Sequence, residues 1–182
     1  MKSLIDLFYE NPYHHTTKFI HYLFIYDQLF SKYRDKEVSI LEIGVASGGS
    51  LELWKTYFGT KAKIYGIDIS DRVPDFKNDN QIKVFEGSQN DRQFLKKIKT
   101  EIPNIDILID DGSHLSQDQI ITFEEMFLHI NDEGIYIVED LHNAWHPSNT
   151  GTLFPFYINA LCNRMHTNLF STEEFLERIV NK

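Results

Sequence analysis

Acidic side chains follow two apolar runs of the chain and are the residues best suited to chemistry. The run Ile105–Ile109 leads into Asp110-Asp111-Gly112-Ser113-His114, and the run Ile135–Val138 leads into Glu139-Asp140-Leu141-His142. Four carboxylates at neighbouring strand ends would repel one another strongly unless a cation lay between them. Oxygen ligands of this kind suit Mg²⁺, Mn²⁺ or Ca²⁺. The sequence therefore predicts a divalent-cation site built from these acids.

A histidine beside this cluster is the candidate general base. His114 lies three residues beyond Asp111, and an imidazole titrates near pH ~6.5, which suits proton removal from a hydroxyl at neutral pH. Taken singly, such residues often only cap turns or hydrogen-bond within a loop; their combination favours catalysis. His142 and His146 are either groups that support the metal site or contact the substrate, or ordinary surface histidines, and the surface interpretation is favoured. Trp145 is a candidate for an exposed ring able to stack on a sugar face.

A glycine-rich turn and a later acid indicate a nucleoside site. The segment Glu42-Ile43-Gly44-Val45-Ala46-Ser47-Gly48-Gly49-Ser50 lets a ligand approach the backbone and presents free amide groups at a helix start. Asp68 ends the next apolar run, where a carboxylate can accept hydrogen bonds from both hydroxyls of a ribose. Ser88 and Gln89 are candidates for lining an adenine ring, although a turn followed by Asp91 as a helix cap explains that segment equally well.

A nicotinamide-binding module is the main alternative, because it also needs a glycine turn and an acid about 20 residues later. Two features argue against it. Ala46 stands where the second glycine of G-x-G-x-x-G belongs. Glu42 lies where an acid would face a cationic ligand rather than a pyrophosphate, and a sulfonium amino acid is such a ligand.

The elements that position these residues alternate between strand and helix. The apolar spacing from Thr16 to Tyr33 predicts an amphipathic helix that covers one face of the fold. Five β-rich runs follow: Val38–Val45, Ile64–Ile69, Ile82–Phe85, Ile105–Ile109 and Ile135–Val138. Continuous apolar runs joined by helices predict a parallel sheet buried on both faces. We therefore expect a doubly wound α/β fold, Rossmann-like, with ligands at the carboxyl ends of its strands.

Helix boundaries are also predicted. Ser50, Asp91 and Ser116 precede apolar stripes and are expected N-caps, and Gly134 is expected to end the last of these helices before the fifth strand. The tail from residue 152 to residue 182 is predicted to be helical, with a helix start at Ser171 or Thr172 and no strand pair.

The length, charge and cysteine content of the sequence exclude several classes of protein. With 182 residues and 42% apolar content, we expect one domain, comprising a helical cover (1–37), a core (38–147) and a helical tail (148–182). A net charge of −9, with no basic patch, argues against nucleic acid as a partner. Cys162 alone forms neither an internal disulfide nor a cysteine zinc site. No signal peptide or membrane segment is recognised, so a cytosolic location without membrane attachment is expected.

The chain resembles the class I methyltransferases, and among them the metal-dependent sugar O-methyltransferases of macrolide antibiotic biosynthesis. The resemblance runs from about residue 13 to residue 147, on these motifs: Leu41-Glu42-Ile43-Gly44-Val45, Gly49-Ser50-Leu51, Trp54 to Phe58, Ile67-Asp68, Asp110-Asp111-Gly112-Ser113-His114, Ile137-Val138-Glu139-Asp140-Leu141, Trp145 and Pro147. It implies S-adenosylmethionine as cosubstrate and a sugar or glycoside acceptor whose vicinal diol a metal chelates.

The resemblance also assigns roles to residues. It implies that Asp111, Glu139 and Asp140 hold Mg²⁺ or Mn²⁺, that His114 is the base, and that Asp68 binds the ribose. The full predicted cosubstrate site is Glu42, Gly44, Ser47, Gly48, Gly49, Ser50, Asp68, Ser88, Gln89 and Asp110.

The chain departs from the pattern of these enzymes in two ways. The macrolide members carry a further N-terminal domain that helps to build the acceptor pocket, whereas only residues 1–37 precede the first strand here, so the acceptor is not carried over. The strand pair that usually closes the sheet is not recognised after residue 152. An exposed fifth strand would favour a homodimer, and a catalytically silent nucleoside-binding scaffold is a second interpretation.

Overall fold

The computed structural model describes residues 2–10, 14–70 and 73–165, which contain one five-stranded sheet. Its strands are β1 (Val38–Ile43), β2 (Ala62–Asp68), β3 (Ile82–Glu86), β4 (Ile105–Asp110) and β5 (Ile130–Val138). All pairings are parallel, in the order β3-β2-β1-β4-β5. The helices are α1 (Leu4–Glu10), α2 (Ile20–Phe30), α3 (Gly49–Phe58), α4 (Arg92–Glu101), α5 (Ser116–Met126) and α6 (Phe154–Met165). The predicted α/β fold is confirmed.

Helices cover both faces of this sheet. Leu23 of α2 and Trp54 of α3 belong to a core on one face, where they pack with Ile40 of β1. Leu95 of α4 packs on the opposite face, beside Leu41 of β1. Because both faces are buried, the strands are apolar at consecutive positions, as parallel sheets require.

The helix predicted from Thr16 to Tyr33 is shorter than expected at both ends. It begins at Ile20, after an extended segment, and ends at Phe30, where a 3₁₀ turn over Ser31–Tyr33 takes over. Its buried side is also narrower than the apolar pattern suggests, because several apolar side chains remain exposed: Ile20, Phe24, Ile25 and Leu29.

One of the three predicted helix caps is confirmed. Asp91 Oδ1 accepts hydrogen bonds from the amides of Gln93 (2.9 Å) and Phe94 (3.1 Å) at the start of α4. Ser50 and Ser116 were wrong as caps: they lie in the first turns of α3 and α5, and the cap positions belong to Gly48 and Leu115.

Gly134 was predicted to end the helix before the fifth strand. It instead lies inside β5. The strand begins at Ile130, and its pairing with β4 shifts register between Ile105 and Ile107. Glu133 has a φ of +63° in this irregular stretch. Residues Asn131 to Glu133 are polar, so the first half of β5 does not form an apolar run and was not predicted.

Beyond β5 the described chain continues as α6, so the predicted helical character of the tail is confirmed as far as Met165. No strand follows β5 in residues 139–165, which leaves β5 paired on one side among the described strands. The helix start predicted at Ser171 or Thr172 lies outside the described residues. No helix in the described ranges is long and apolar enough to cross a bilayer.

The end of β1 approaches the end of β4 very closely at Gly44. Gly44 has a φ of +88°, and a Cβ built there would lie 2.1 Å from the carbonyl oxygen of Asp111. The Asp111 amide in turn donates to the carbonyl of Ile43 (2.9 Å). Only glycine meets both the left-handed conformation and this contact, so Gly44 ends β1 two residues earlier than the apolar run predicts.

Gly44→Ala should therefore lower the free energy of unfolding by about 2–4 kcal/mol, because the new methyl group meets backbone that cannot rotate away. The matched control is Gly151→Ala: Gly151 also has a positive φ (+78°), but its nearest neighbour is the side chain of Gln117 at 3.3 Å. This control should cost about 1 kcal/mol. Urea unfolding measures both, and equal costs would contradict the steric explanation.

Candidate active site

The carboxyl ends of β1, β4 and β5 gather the predicted acids at one edge of the sheet. Backbone hydrogen bonds align these ends: the Asp111 amide donates to Ile43, and the Glu139 amide donates to Asp110, each at 2.9 Å. Glu42 is the penultimate residue of β1 and pairs in register with Ile109 of β4. The chain reverses its winding direction between β1 and β4, and such switch points are where open α/β sheets bind ligands.

A lysine that the sequence did not single out lies at the centre of this acid cluster. Lys18 Nζ donates to Asp111 Oδ2 (2.6 Å), Glu139 Oε1 (2.7 Å) and Glu42 Oε1 (3.0 Å). Its side chain is 2% exposed. An ammonium group has three donors, so each of them meets a carboxylate oxygen.

The two glutamates are held inward by further bonds. Trp54 Nε1 donates to Glu42 Oε2 (3.0 Å), and the Tyr26 hydroxyl donates to Glu139 Oε1 (2.7 Å). Both oxygens of Glu42 are therefore bonded to interior donors, and its side chain faces Lys18 rather than the nucleoside pocket.

Burial and the ammonium group act in opposite directions on these carboxylates. Burial raises the pKa of Glu139 to about 7 and also raises the pKa of Asp111, although Lys18 opposes both increases. Burial alone would lower the pKa of Lys18, but the three surrounding carboxylates outweigh it and hold this pKa well above its usual range. The lysine is therefore charged throughout the physiological pH range.

A second set of ligand atoms faces outward from the same cluster. His114 Nε2 lies 3.9 Å from Asp111 Oδ1 and 4.0 Å from Asp140 Oδ2. One ligand atom of each of these three residues falls within 4.8 Å of the others, and all three side chains are partly accessible. The set of two carboxylates and one imidazole therefore fits a divalent cation.

Local backbone geometry directs these outward groups. His114 (φ +57°) and Asp140 (φ +55°) both adopt the left-handed conformation just after their strands. The Tyr22 hydroxyl lies 3.2 Å from both Asp140 Oδ1 and the Asp140 amide. His114 Nδ1 is buried without a hydrogen-bond partner among the described residues, so the ring presents Nε2 to the acids.

The nucleoside site predicted from Asp68 lies beside this cluster. Gly44, Asp68, Ser88 and Gln89 line a cavity of about 230 Å³, together with Gly112 and Ser113 of the loop after β4. Asp68 Oδ2 accepts the amides of Val45 and Ala46, both at 2.8 Å. Asp68 Oδ1 also accepts the Ser70 amide (2.8 Å). A carboxylate has about four acceptor positions, so Asp68 shapes the glycine turn with three of them and retains about one for a ribose hydroxyl.

The rest of the glycine turn is partly covered. Ser47 is exposed, whereas Gly48, Gly49 and Ser50 are buried. A Cβ at Gly49 would lie 2.2 Å from the carbonyl oxygen of His14, because the extended segment before α2 crosses the start of α3. These four residues do not line the cavity with Gly44.

A buried polar network forms the floor of the cavity. Gln89 Nε2 donates to Asp110 Oδ1 and Thr122 Oγ1, both at 3.0 Å, and its Oε1 accepts the Ser113 amide (2.7 Å). Asp110 is almost fully buried behind Gln89 and does not line the cavity. Burial raises the pKa of its carboxyl to about 7, although the bond from Gln89 opposes the increase.

The remaining sequence candidates lie at the surface or elsewhere. Trp145 is 63% exposed, and His146 Nδ1 contacts Ser148 Oγ at 2.8 Å. The His142 ring lies 6.1 Å from the exposed ring of Phe19. A larger cleft of about 810 Å³, at the β3 side of the sheet, contains none of the predicted site residues.

Sequence reasoning missed Lys18, Tyr22 and Tyr26, which come from the N-terminal cover. Nothing about their spacing relates them to acids that lie up to 121 positions away. The only signal was the repulsion among the acids, and that signal does not distinguish an internal ammonium group from a bound metal ion.

The parallel sheet, the glycine turn after β1, the acid at the end of β2 and the acids after β4 and β5 together define the class I methyltransferase fold. No family model matches the sequence. Curated proteins and solved structures do.

The mycinamicin VI 2''-O-methyltransferase of Micromonospora griseorubida is 37% identical over 137 residues, which are 71% of this chain and 34% of that protein. The demethylmacrocin O-methyltransferase of Streptomyces fradiae is 36% identical over the same length. The solved structure of the mycinamycin-pathway methyltransferase MycE, in complex with Mg, SAH and mycinamycin VI, superposes with a TM-score of 0.77 and 31% identity, covering 89% of this chain and 48% of that one.

The chain is thus homologous to the macrolide sugar O-methyltransferases. It spans about a third of the length of the curated relatives that it matches.

Asp110→Asn should alter the pH dependence of stability. Between the usual aspartate pKa of 3.8 and the raised value of about 7, the folded state keeps a proton that the unfolded chain has lost, so wild-type stability falls as the pH rises through this range. Asparagine cannot lose that proton. The stability of the variant relative to wild type should therefore increase by on the order of 1–3 kcal/mol between about pH 4.5 and about pH 8.

Urea unfolding in the presence of a chelator measures this difference. Asp132→Asn, at an exposed position, is the matched control and should show no comparable increase. A relative stability of Asp110→Asn that is independent of pH would contradict the role assigned to burial.

Proposed function

We propose that this chain is an S-adenosylmethionine-dependent O-methyltransferase that acts on a hydroxyl of a sugar or glycoside. The supporting observation is the adjacency of two sites. Gly112 and Ser113 line the cavity beside Asp68, and their chain neighbours Asp111 and His114 belong to the outward acid cluster. A methyl group bound in the cavity would therefore lie close to the base.

Residues at the carboxyl ends of β1, β2 and β3 bind the cosubstrate. Asp68 accepts a ribose hydroxyl, the Gly44 turn allows close approach of the ligand, and Ser88 and Gln89 lie beside the adenine ring. Asp110 supports this wall through its hydrogen bond with Gln89 (3.0 Å). Glu42, Ser47, Gly48, Gly49 and Ser50 contribute by shaping the turn and the start of α3, and all of these roles are part of the proposal.

The proposed ligands of Mg²⁺ or Mn²⁺ are Asp111, Asp140 and Glu139. Glu139 Oε1 accepts from Lys18 and Tyr26, so Oε2 would be the oxygen that it offers to the ion. A divalent ion there would lower the pKa of the acceptor hydroxyl and hold it in line with the methyl group. The relative solved with Mg, SAH and mycinamycin VI supports both the ion and the glycoside acceptor. Two hydroxyls on neighbouring carbons suit an ion bordered by several carboxylates.

The chemical step is a direct displacement. The acceptor oxygen forms a bond to the methyl carbon as the carbon–sulfur bond breaks, and the sulfur keeps the bonding electrons. The hydroxyl proton passes to Nε2 of His114, which lies 3.9 Å from Asp111 Oδ1 and 4.0 Å from Asp140 Oδ2, close to the proposed ion. The sulfonium charge disappears and the imidazole becomes charged, so atoms and charge balance.

Calorimetry with S-adenosylhomocysteine tests the cosubstrate site. We expect binding with or without Mg²⁺, and at least tenfold weaker binding for Asp68→Asn, because a charged hydrogen bond to the ribose is lost. Asp132→Asn is the matched control and should bind like wild type. Absence of binding to wild type under both conditions would contradict the proposal, and stabilisation by NAD instead would favour an oxidoreductase.

His114→Gln tests the proposed base. With labelled S-adenosylmethionine and a panel of glycosides that carry a free vicinal diol, turnover should fall about 10²–10⁴-fold, while affinity for S-adenosylhomocysteine should change less than about threefold. His146→Gln, at an exposed position, should keep wild-type turnover. Equal turnover in the His114 variant would exclude it as the base, and wild-type binding without turnover on any acceptor would favour a silent scaffold.

A further inference from the structure

Lys18 divides the oxygens of the acid cluster into two sets. The inner oxygens, Glu42 Oε1, Asp111 Oδ2 and Glu139 Oε1, all accept from its ammonium group. The outer oxygens include Asp111 Oδ1 and Asp140 Oδ2, which face His114. Asp111 therefore belongs to both sets, with one oxygen in each.

The inner set needs a permanent cation. Glu42 and Glu139 are 0% and 3% exposed, and removing a carboxylate from water without a counter-charge is very costly. The lysine that supplies this charge is fixed through its own segment: the His14 amide donates to Glu52 Oε2 (3.0 Å), and the backbone of His14 packs against Gly49. Solvent does not replace the ammonium group, because its side chain is 2% exposed.

The charges at this edge indicate what the arrangement achieves. When all four carboxyls are ionised, Glu42, Asp111, Glu139 and Asp140 supply four negative charges, and Lys18 balances one of them. The remaining three would be balanced by a divalent ion and one sulfonium group. Without Lys18, the same ion would face the full negative charge and could be drawn inward to the three oxygens that the ammonium group now occupies.

We propose that Lys18 is a resident cation that positions the divalent ion on the outward oxygens of Asp111 and Asp140 and moderates its affinity. Lys18 is thus a positioning residue for methyl transfer and does not touch the reacting atoms. The inference rests on the ion site of the proposed function. The proposed function predicts that a divalent ion binds at this site. The inference about Lys18 predicts how strongly that ion binds.

Titration with Mn²⁺, followed by electron paramagnetic resonance, tests the proposal on wild type and Lys18→Met. Removing a unit charge a few ångström from a divalent ion should tighten Mn²⁺ binding by about tenfold or more, even at the dielectric constant of water. A lysine with a purely structural role predicts the opposite sign, because its loss would loosen Asp111 and weaken binding. Unchanged or weaker Mn²⁺ binding in Lys18→Met would overturn the proposal.

Two further variants control for charge and folding. Lys97→Met removes an equal charge from a side chain that is 72% exposed and should leave Mn²⁺ affinity within about twofold of wild type, because the charge is far from the cluster and screened. Glu42→Gln retains an oxygen acceptor for Trp54 Nε1 and should weaken Mn²⁺ binding. Adding Lys18→Met to Glu42→Gln restores the wild-type charge and should return affinity towards the wild-type value.

If Lys18→Met alone does not fold, the proposal is tested instead by comparing the Mn²⁺ affinity of Glu42→Gln with that of this double variant. Equal Mn²⁺ affinity in these two proteins would then overturn the proposal. Calorimetry with S-adenosylhomocysteine separates this result from failure of the proposed function: intact cosubstrate binding with no Mn²⁺ binding in any variant would overturn the role of Lys18 while leaving the nucleoside site supported.

Discussion

The contact between Lys18 and three carboxylates connects the N-terminal cover to the edge of the sheet. Lys18 Nζ lies 2.6–3.0 Å from acids that follow or belong to β1, β4 and β5. Breaking one partner of a buried ion pair is far more costly than the pair is worth, because the remaining charge is left without compensation. The cover is therefore part of the site, and Tyr22 and Tyr26 of α2 strengthen the same connection through Asp140 and Glu139.

The sheet itself sets the spacing on which this contact depends. Parallel pairing aligns the ends of β1 and β4, and the positive φ of Gly44 lets the Asp111 carbonyl lie against it. One stretch of backbone therefore separates the cavity lined by Gly44 and Asp68 from the acid cluster. A single displaced strand end would move Asp111 and Gly112 together, so the two sites cannot shift independently.

The sequence predicted the sheet and the edge where chemistry is concentrated, because apolar runs and the acids that follow them are local signals. It failed where structure depends on distant partners. The start of α2 was wrong because Lys18 is drawn inward by acids far along the chain, and no propensity records that attraction. The first half of β5 was missed because Asn131 to Glu133 are polar, and Ser50 was wrong as a cap because the positive φ of Gly48 begins α3 earlier. Glu42 was expected to face a cationic ligand, and it faces a cation supplied by the chain itself.

The acids of the cluster have different partners because they differ in how deeply they are buried. Glu42 and Glu139 lie deepest and are compensated by a group that cannot diffuse away, whereas Asp111 and Asp140 remain partly accessible and border His114. A site made only of exposed acids would bind an ion without fixing its position, and a site made only of buried acids would exclude the acceptor. Because Asp111 contributes one oxygen to Lys18 and the other to the outward set, its carboxylate plane is fixed before any ligand arrives. In the reaction proposed above, that preorganisation would remove a reorganisation cost from the step in which an acceptor hydroxyl loses its proton.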